Sequence, residues 1–207
     1  MKLKLIMMAS ALVAGLGSFA QGTGKIGNMT VSAFNAINAK GNKAVSAITV
    51  TSTPLSAADQ KLITQIAAGG QRQLAISQAV LAKTTDANVK LLATSEVEEQ
   101  TGLSAKLSEI ATAKGVTLPA GPDAAAQALV AQAQSLSGAD LDSFYINQSG
   151  VMGHQLLQKT MTTVNASAKD IVLKKLALAT LPVIKTHLAV SKAEKAKMKV
   201  ASYGAAK

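Results

Sequence analysis

Cysteine and tryptophan are both absent from the chain, and each absence excludes something. Without thiols there can be no disulfide framework, no thiolate metal site, no lipid-modified amino terminus and no cysteine nucleophile, so stability must come from a packed core. Aromatic residues are scarce as well: besides Phe19, only Phe34, Phe144, Tyr145 and Tyr203 occur. A core of Ala, Leu, Val and Ile with so few rings favours closely packed helices, since Ala and Leu are strong helix formers. Arginine occurs once, at Arg72, and basic residues do not interleave with aromatics as in a single-strand binder, so no specific nucleic-acid partner is expected. Beyond one stretch near the start, no apolar run is long enough to cross a bilayer.

That stretch has a recognisable order. Lys2 and Lys4 precede an apolar run over residues 5–16, and Ser18-Phe19-Ala20 gives a small-x-small pattern before Gln21. The order predicts a signal peptide over residues 1–20, cut between Ala20 and Gln21, and a periplasmic or secreted protein. Lys plus Arg number 21 against 11 Asp plus Glu, a formal net charge of +10, of which two positive charges leave with the signal. Such a balance attracts anionic envelope lipid or acidic polysaccharide. Lys192, Lys195, Lys197 and Lys199 are the candidate contacts with an anionic envelope component, although cations also suit the end of a helix dipole.

Residues 21–55 are rich in Gly, Ser, Thr and Asn, which predicts a flexible leader with a short helix over 30–39. Order is expected from Ser56, where Ser56 and Asp59 have capping-box spacing, and a first helix runs over 56–82 through Leu62, Ile63, Ile66 and Leu74, with Gly69-Gly70 inside it. A second helix covers 86–114 and ends at Gly115. Its apolar stripe, Val89, Leu92, Leu103, Leu107 and Ile110, is broken by Glu96 and Gln100, so either those groups are paired in the core or the stripe surfaces there. A short connecting helix is expected over 123–134, with Pro122 in its first turn. A third helix over 140–164 carries His154 on its stripe with Gly150 and Gly153 beside it, residues 165–167 make the turn, and a fourth helix over 168–198 carries Pro182 and His187 before a tail at 199–207.

Several short motifs keep one order along the chain: Lys114-Gly115-Val116-Thr117-Leu118-Pro119, Leu136-Ser137-Gly138 with Asp142 and Tyr145, Gly153-His154-Gln155, and Leu181-Pro182 with His187-Leu188. Together they resemble the bacterial exported family catalogued as domain of unknown function 4142, over about residues 59–193. The resemblance implies an all-α, ferritin-like antiparallel four-helix bundle and an outer-membrane or periplasmic location, with no assigned activity. It also implies a Glu near position 73 and an Asp-His pair near 99–100, where this chain has Gln73 and Glu99-Gln100. The Tyr145 to His154 interval is one residue longer than the family's, as a local bulge or a shifted alignment would each produce.

No catalytic set emerges: there is no phosphate-binding Gly loop followed by Lys, no His-Glu-x-x-His pair and no nucleophile elbow, so a non-enzymatic structural, stress-related or binding role is expected. No motif requires a cofactor. A metal ion is the one candidate, with His154, Glu96 and Glu99 as ligands, although the Glu-x-x-His pair of di-iron bundles is missing. The competing reading is a hydrogen-bonded polar core layer of Gln73, Glu96, Gln100, His154 and His187. With the turn at 165–167, the two histidines should stand roughly 15 Å apart along the axis at ~1.5 Å per residue, too far to share an ion.

Overall fold

The computed structural model describes residues 24–204, with side chains through residue 198. The expected signal segment, with its expected junction at Ala20 and Gln21, lies outside the described residues. The chain is an all-α helical bundle with one small hairpin, β1 (Lys25–Ile26) paired antiparallel with β2 (Met29–Thr30). The helices are α1 (Val31–Ser46), α2 (Ala57–Leu81), α3 (Ala87–Lys114), α4 (Ala124–Ser135), α5 (Gly138–Tyr145), α6 (His154–Ser167) and α7 (Ile171–Gly204). An eight-residue π-helical segment, Ile146–Gly153, joins α5 to α6.

Local chemistry sets most boundaries. The Ser56 hydroxyl accepts from the Asp59 N–H at 3.1 Å to start α2, Asp86 accepts from Asn88 and Val89 to start α3, and Asp123 caps α4. Pro122 therefore precedes the α4 cap instead of lying in its first turn. Gly115 ends α3 at φ 67°, a left-handed conformation that only glycine adopts freely. The last hairpin is displaced from its expected place. Asp170 Oδ1 accepts from the N–H groups of Val172 and Leu173, and Asp59 reaches across from α2 to take those of Lys169 and Asp170. The turn is thus 168–170, not 165–167, because two carboxylates hold the free N–H groups there. Helix α7 continues to Gly204, past the expected end at 198.

Helices α2 and α3 form one antiparallel pair, α6 and α7 the other, and α2 also packs on α6 and α4. Contrary to the expected flexible leader, α1 is an integral fifth helix lying against α3 and α7. Phe34 is fully buried, Thr30 caps the helix, and a Cβ on Gly41 would collide with Val183, so the glycine permits close approach of the two helices. The segment after α1 is held too: Lys106 Nζ donates to the Ile48 carbonyl, and the buried Lys114–Asp170 pair at 2.7 Å also donates to the Thr53 carbonyl. At the other end Glu194 accepts from the Gly27 N–H, and Lys197 Nζ donates to the Gly27 carbonyl at 3.0 Å. Among the described residues no helix is long and apolar enough to cross a membrane.

The core falls into two apolar clusters. One gathers Ile63, Ile66, Leu103, Leu107, Leu157, Met161, Leu176 and Ile184; the other gathers Phe34, Ile76, Val89, Leu92, Leu141, Tyr145, Ile146 and Val190. Phe34→Ala should destabilise the protein by about 3–5 kcal/mol in urea unfolding, the usual loss for a fully buried ring. A change below about 0.5 kcal/mol would mean that α1 is peripheral.

Candidate functional site

On each long helix the two clusters are separated by polar residues at one level. Helix α2 changes from Ile66 to Ile76 through Gln73, α3 from Ala93 to Leu103 through Glu96, Glu99 and Gln100, the α5–α6 rod from Ile146 to Leu157 through His154, and α7 from Ile184 to Val190 through His187. Every one of these six polar residues is buried, Glu96 at 1 % exposure and His187 at 0 %. The break in the α3 stripe is therefore a buried layer and does not mark a surfacing helix.

Glu96 is its centre. Its Oε2 lies 2.9 Å from His154 Nε2 and 3.0 Å from His187 Nδ1, and those two nitrogens are 3.3 Å apart. The expected separation of the histidines is thus wrong. With the turn at 168–170, His154 lies about 15 residues before it and His187 about 18 after, a difference of about 4.5 Å at ~1.5 Å per residue. Displacing a turn lengthens one arm and shortens the other, so a small misplacement becomes a large axial error.

Each ring is fixed from behind. His154 Nδ1–H donates to the Ser149 carbonyl at 2.9 Å, and His187 Nε2–H donates to Asn38 Oδ1 at 2.7 Å. Phe34 stacks on His187 with centroids 5.2 Å apart. Gln100 Nε2 donates to Glu96 Oε1 at 2.9 Å, and Gln73 exchanges hydrogen bonds with Ser149. Glu99 Oε2 stands 3.6 Å from His187 Nδ1, yet neither carboxylate oxygen of Glu99 has a donor. The π segment makes room for the layer: a Cβ on Gly153 would lie 2.5 Å from Gln73 Oε1, and one on Gly150 would lie 2.6 Å from Ser191 Oγ. This segment occupies the interval from Tyr145 to His154 in which a local bulge was one expectation, and π segments are common at functional sites.

The electrostatics follow from burial and proximity. Burial alone would raise the Glu96 carboxyl, but the two imidazoles, His154 above all, hold it well below the ordinary range. Burial and then the Glu96 charge push Glu99 well above it. Burial disfavours charge on both rings; for His154 the Glu96 charge and hydrogen bond outweigh this and raise its pKa, whereas for His187 burial prevails and lowers it. The cluster thus favours a proton on His154 and on Glu99 and disfavours charge on His187.

All five residues expected in a polar layer lie at this level; of the three expected metal ligands, His154 and Glu96 converge, while Glu99 stands aside with Oε2 3.6 Å from His187 Nδ1. Among the described residues, Glu96, His154 and His187 form the group able to hold a metal ion. Sequence reasoning did not find Asn38, Phe34 and Ser149. The first two lie in the segment taken for a leader, although Phe34, Asn38, Gly41 and Val45 have the 3–4 residue spacing of a buried helix face. Of the lysines expected to meet an anionic surface, Lys197 is committed to Gly27 and to Glu194 at 2.8 Å, Lys192 is exposed, and the Lys199 side chain lies outside the described residues.

The architecture defines an all-α bundle with a carboxylate–histidine layer in its core. The chain belongs to the family described as Domain of unknown function (DUF4142), whose model matches residues 45–193. No curated protein and no solved structure matches it significantly. The match includes Glu96, Glu99, His154 and His187 but not Phe34 or Asn38.

Two outcomes are expected of the layer. In metal-free protein, NMR titration should place the His154 imidazole above the ordinary value of 6.5 and His187 below it; the reverse order would contradict the geometry. Glu96→Ala, which strands His154 without its anion, should cost about 3–5 kcal/mol in the same unfolding assay.

Proposed function

We propose that the chain is an exported helical-bundle protein of the cell envelope, non-enzymatic in role, which binds one divalent first-row transition-metal ion in its core. The ligands are Glu96 Oε2, His154 Nε2 and His187 Nδ1, with Glu99 as the fourth. The observation that carries this is the convergence of two ring nitrogens on one carboxylate oxygen while the opposite nitrogen of each ring is tied to a separate acceptor, Ser149 or Asn38. Metal-ligating histidines are held in this way, because the outer hydrogen bond fixes the tautomer and aims the lone pair. With its proton on Nε2, a neutral His187 turns bare Nδ1 toward Glu96, an arrangement that a cation between them would stabilise.

Distance and charge fit as well. Tetrahedral ligands at ~2.0–2.1 Å from an ion stand about 3.3–3.4 Å from one another. The three donor atoms here are 2.9, 3.0 and 3.3 Å apart, so they need move only a few tenths of an ångström. A divalent ion held by two carboxylates and two neutral imidazoles would displace any protons on those groups and would give the unpartnered Glu99 oxygens an electrophile. A ferritin-like di-iron site fits poorly, since Gln73 and Gln100 supply amides where further anionic ligands would be needed. The bound ion would supply charge neutralisation and cross-linking of three helices. For docking of the C-terminal lysines on an anionic surface, the half-exposed Lys197 would have to share its charge with Glu194 and the Gly27 carbonyl.

The full-length chain without a polyhistidine tag, stripped with chelator and titrated with zinc, should take up one equivalent. A free ligand concentration of 100 times Kd should add about 2.7 kcal/mol of stability. His154→Ala and His187→Ala should each reduce the melting shift; a wild-type chain whose melting ignores zinc would overturn the reading. Export is tested separately, by mass spectrometry of the envelope fraction, where the expected amino terminus is Gln21 and an intact Met1 would contradict it.

A further inference from the structure

The centre is sealed within the layer, and a polar groove of about 430 Å³ lies beside it, between α1 and α3. It is lined by Ser32, Asn35, Asn38, Ala39 and Asn42 from α1 and by Ser95 and Glu98 from α3. Asparagine is a poor helix former, yet Asn35, Asn38 and Asn42 recur at spacings of three and four on the face that α1 turns toward α3. A helix packing for stability alone would place apolar residues there. Asn38 is 6 % exposed and held only through Oδ1, by His187, while its buried Nδ2 has no partner. Ser95 lies one helical turn from Glu99, whose buried oxygens also lack donors and whose Oε2 is 3.6 Å from the metal-facing nitrogen of His187.

We propose that this groove is the loading path by which a hydrated divalent cation reaches the core, with Asn38 as its gate. The inference rests on the metal-centre reading. Glu98 and the amide oxygens of Asn35 and Asn42 replace part of the hydration shell with hard oxygen donors. The Asn38 carboxamide, with one hydrogen bond to break, then rotates so that its oxygen faces the path, and the ion passes to Glu99 before His187, His154 and Glu96 close around it. The other large pocket, of about 460 Å³ between α2 and α6, is unsuited to a cation: Arg72 and Lys159 face it against one carboxylate, Asp123.

The test is the rate at which metal-free, full-length protein takes zinc from a chromophoric chelator in stopped flow. Asn42→Trp, which fills the groove, should slow loading several-fold with the final stoichiometry unchanged. Glu98→Lys, at an exposed position, should slow it by about tenfold at low ionic strength, with the difference shrinking in salt. Thr160→Trp in the α2–α6 pocket should load at the wild-type rate. Stoichiometric zinc with unchanged rates in both groove variants, or slowing by Thr160→Trp alone, overturns the route while leaving the centre. A wild-type chain that takes up no zinc overturns both.

Discussion

A carboxylate removed from water must find compensation inside the protein, and Glu96 is buried with an almost wholly apolar core on either side. Isolated burial of that charge would be prohibitive. Gln100, one turn along α3, and His154, at the start of α6, donate to it, and His187 in the middle of α7 sets Nδ1 3.0 Å away. Those partners are buried donors in turn, which draws in Ser149 of the π segment, Gln73 of α2 and Asn38 of α1. The layer thereby fixes the axial register of five helices. A slip of one turn in any of them would set a polar group against apolar side chains and leave another unpaired, a larger penalty than a slip between two greasy surfaces.

The layer also accounts for local oddities. Placing the Ser149 carbonyl against the His154 ring requires the i−5 geometry of a π segment, and Gly150 and Gly153 remove the side chains that would strike Ser191 and Gln73. Gly70 serves Gln100 in the same way, since a Cβ there would lie 2.7 Å from its Oε1. Satisfaction is incomplete at Asn38 Nδ2, at Gln100 Oε1 and at both oxygens of Glu99. Neither oxygen of Glu99 has a donor, and a hydrogen-bonded layer serving packing alone would gain nothing from a second buried carboxyl beside the first.

Much of this was legible in the sequence, for reasons particular to each element. The α2 and α3 helices announce themselves through Ser56, Asp86 and Gly115, and the polar break in the α3 stripe through Glu96 and Gln100, because caps and periodicity are local signals. The last turn was not legible. Asp170 is capped in part by Asp59, 111 positions away, and no window of local sequence contains that hydrogen bond. From the turn error came the false separation of His154 and His187. Helix α1 was missed for a related reason: Gly41 and three asparagines are loop residues by propensity, and only the approach of Val183 and the polar groove give them a helical purpose. Tertiary context overrides propensity in such places.

The central claim is that Glu96, His154 and His187 converge on a single ion within the bundle. X-ray absorption at the zinc edge, recorded on stoichiometrically loaded full-length protein, tests it most directly. The account predicts nitrogen and oxygen neighbours only, at about 2.0–2.1 Å, with the outer-shell scattering of two imidazoles that falls to one in His187→Ala. A spectrum of oxygen neighbours alone, or one unchanged by that substitution, would contradict it and leave the layer a hydrogen-bonded structural feature.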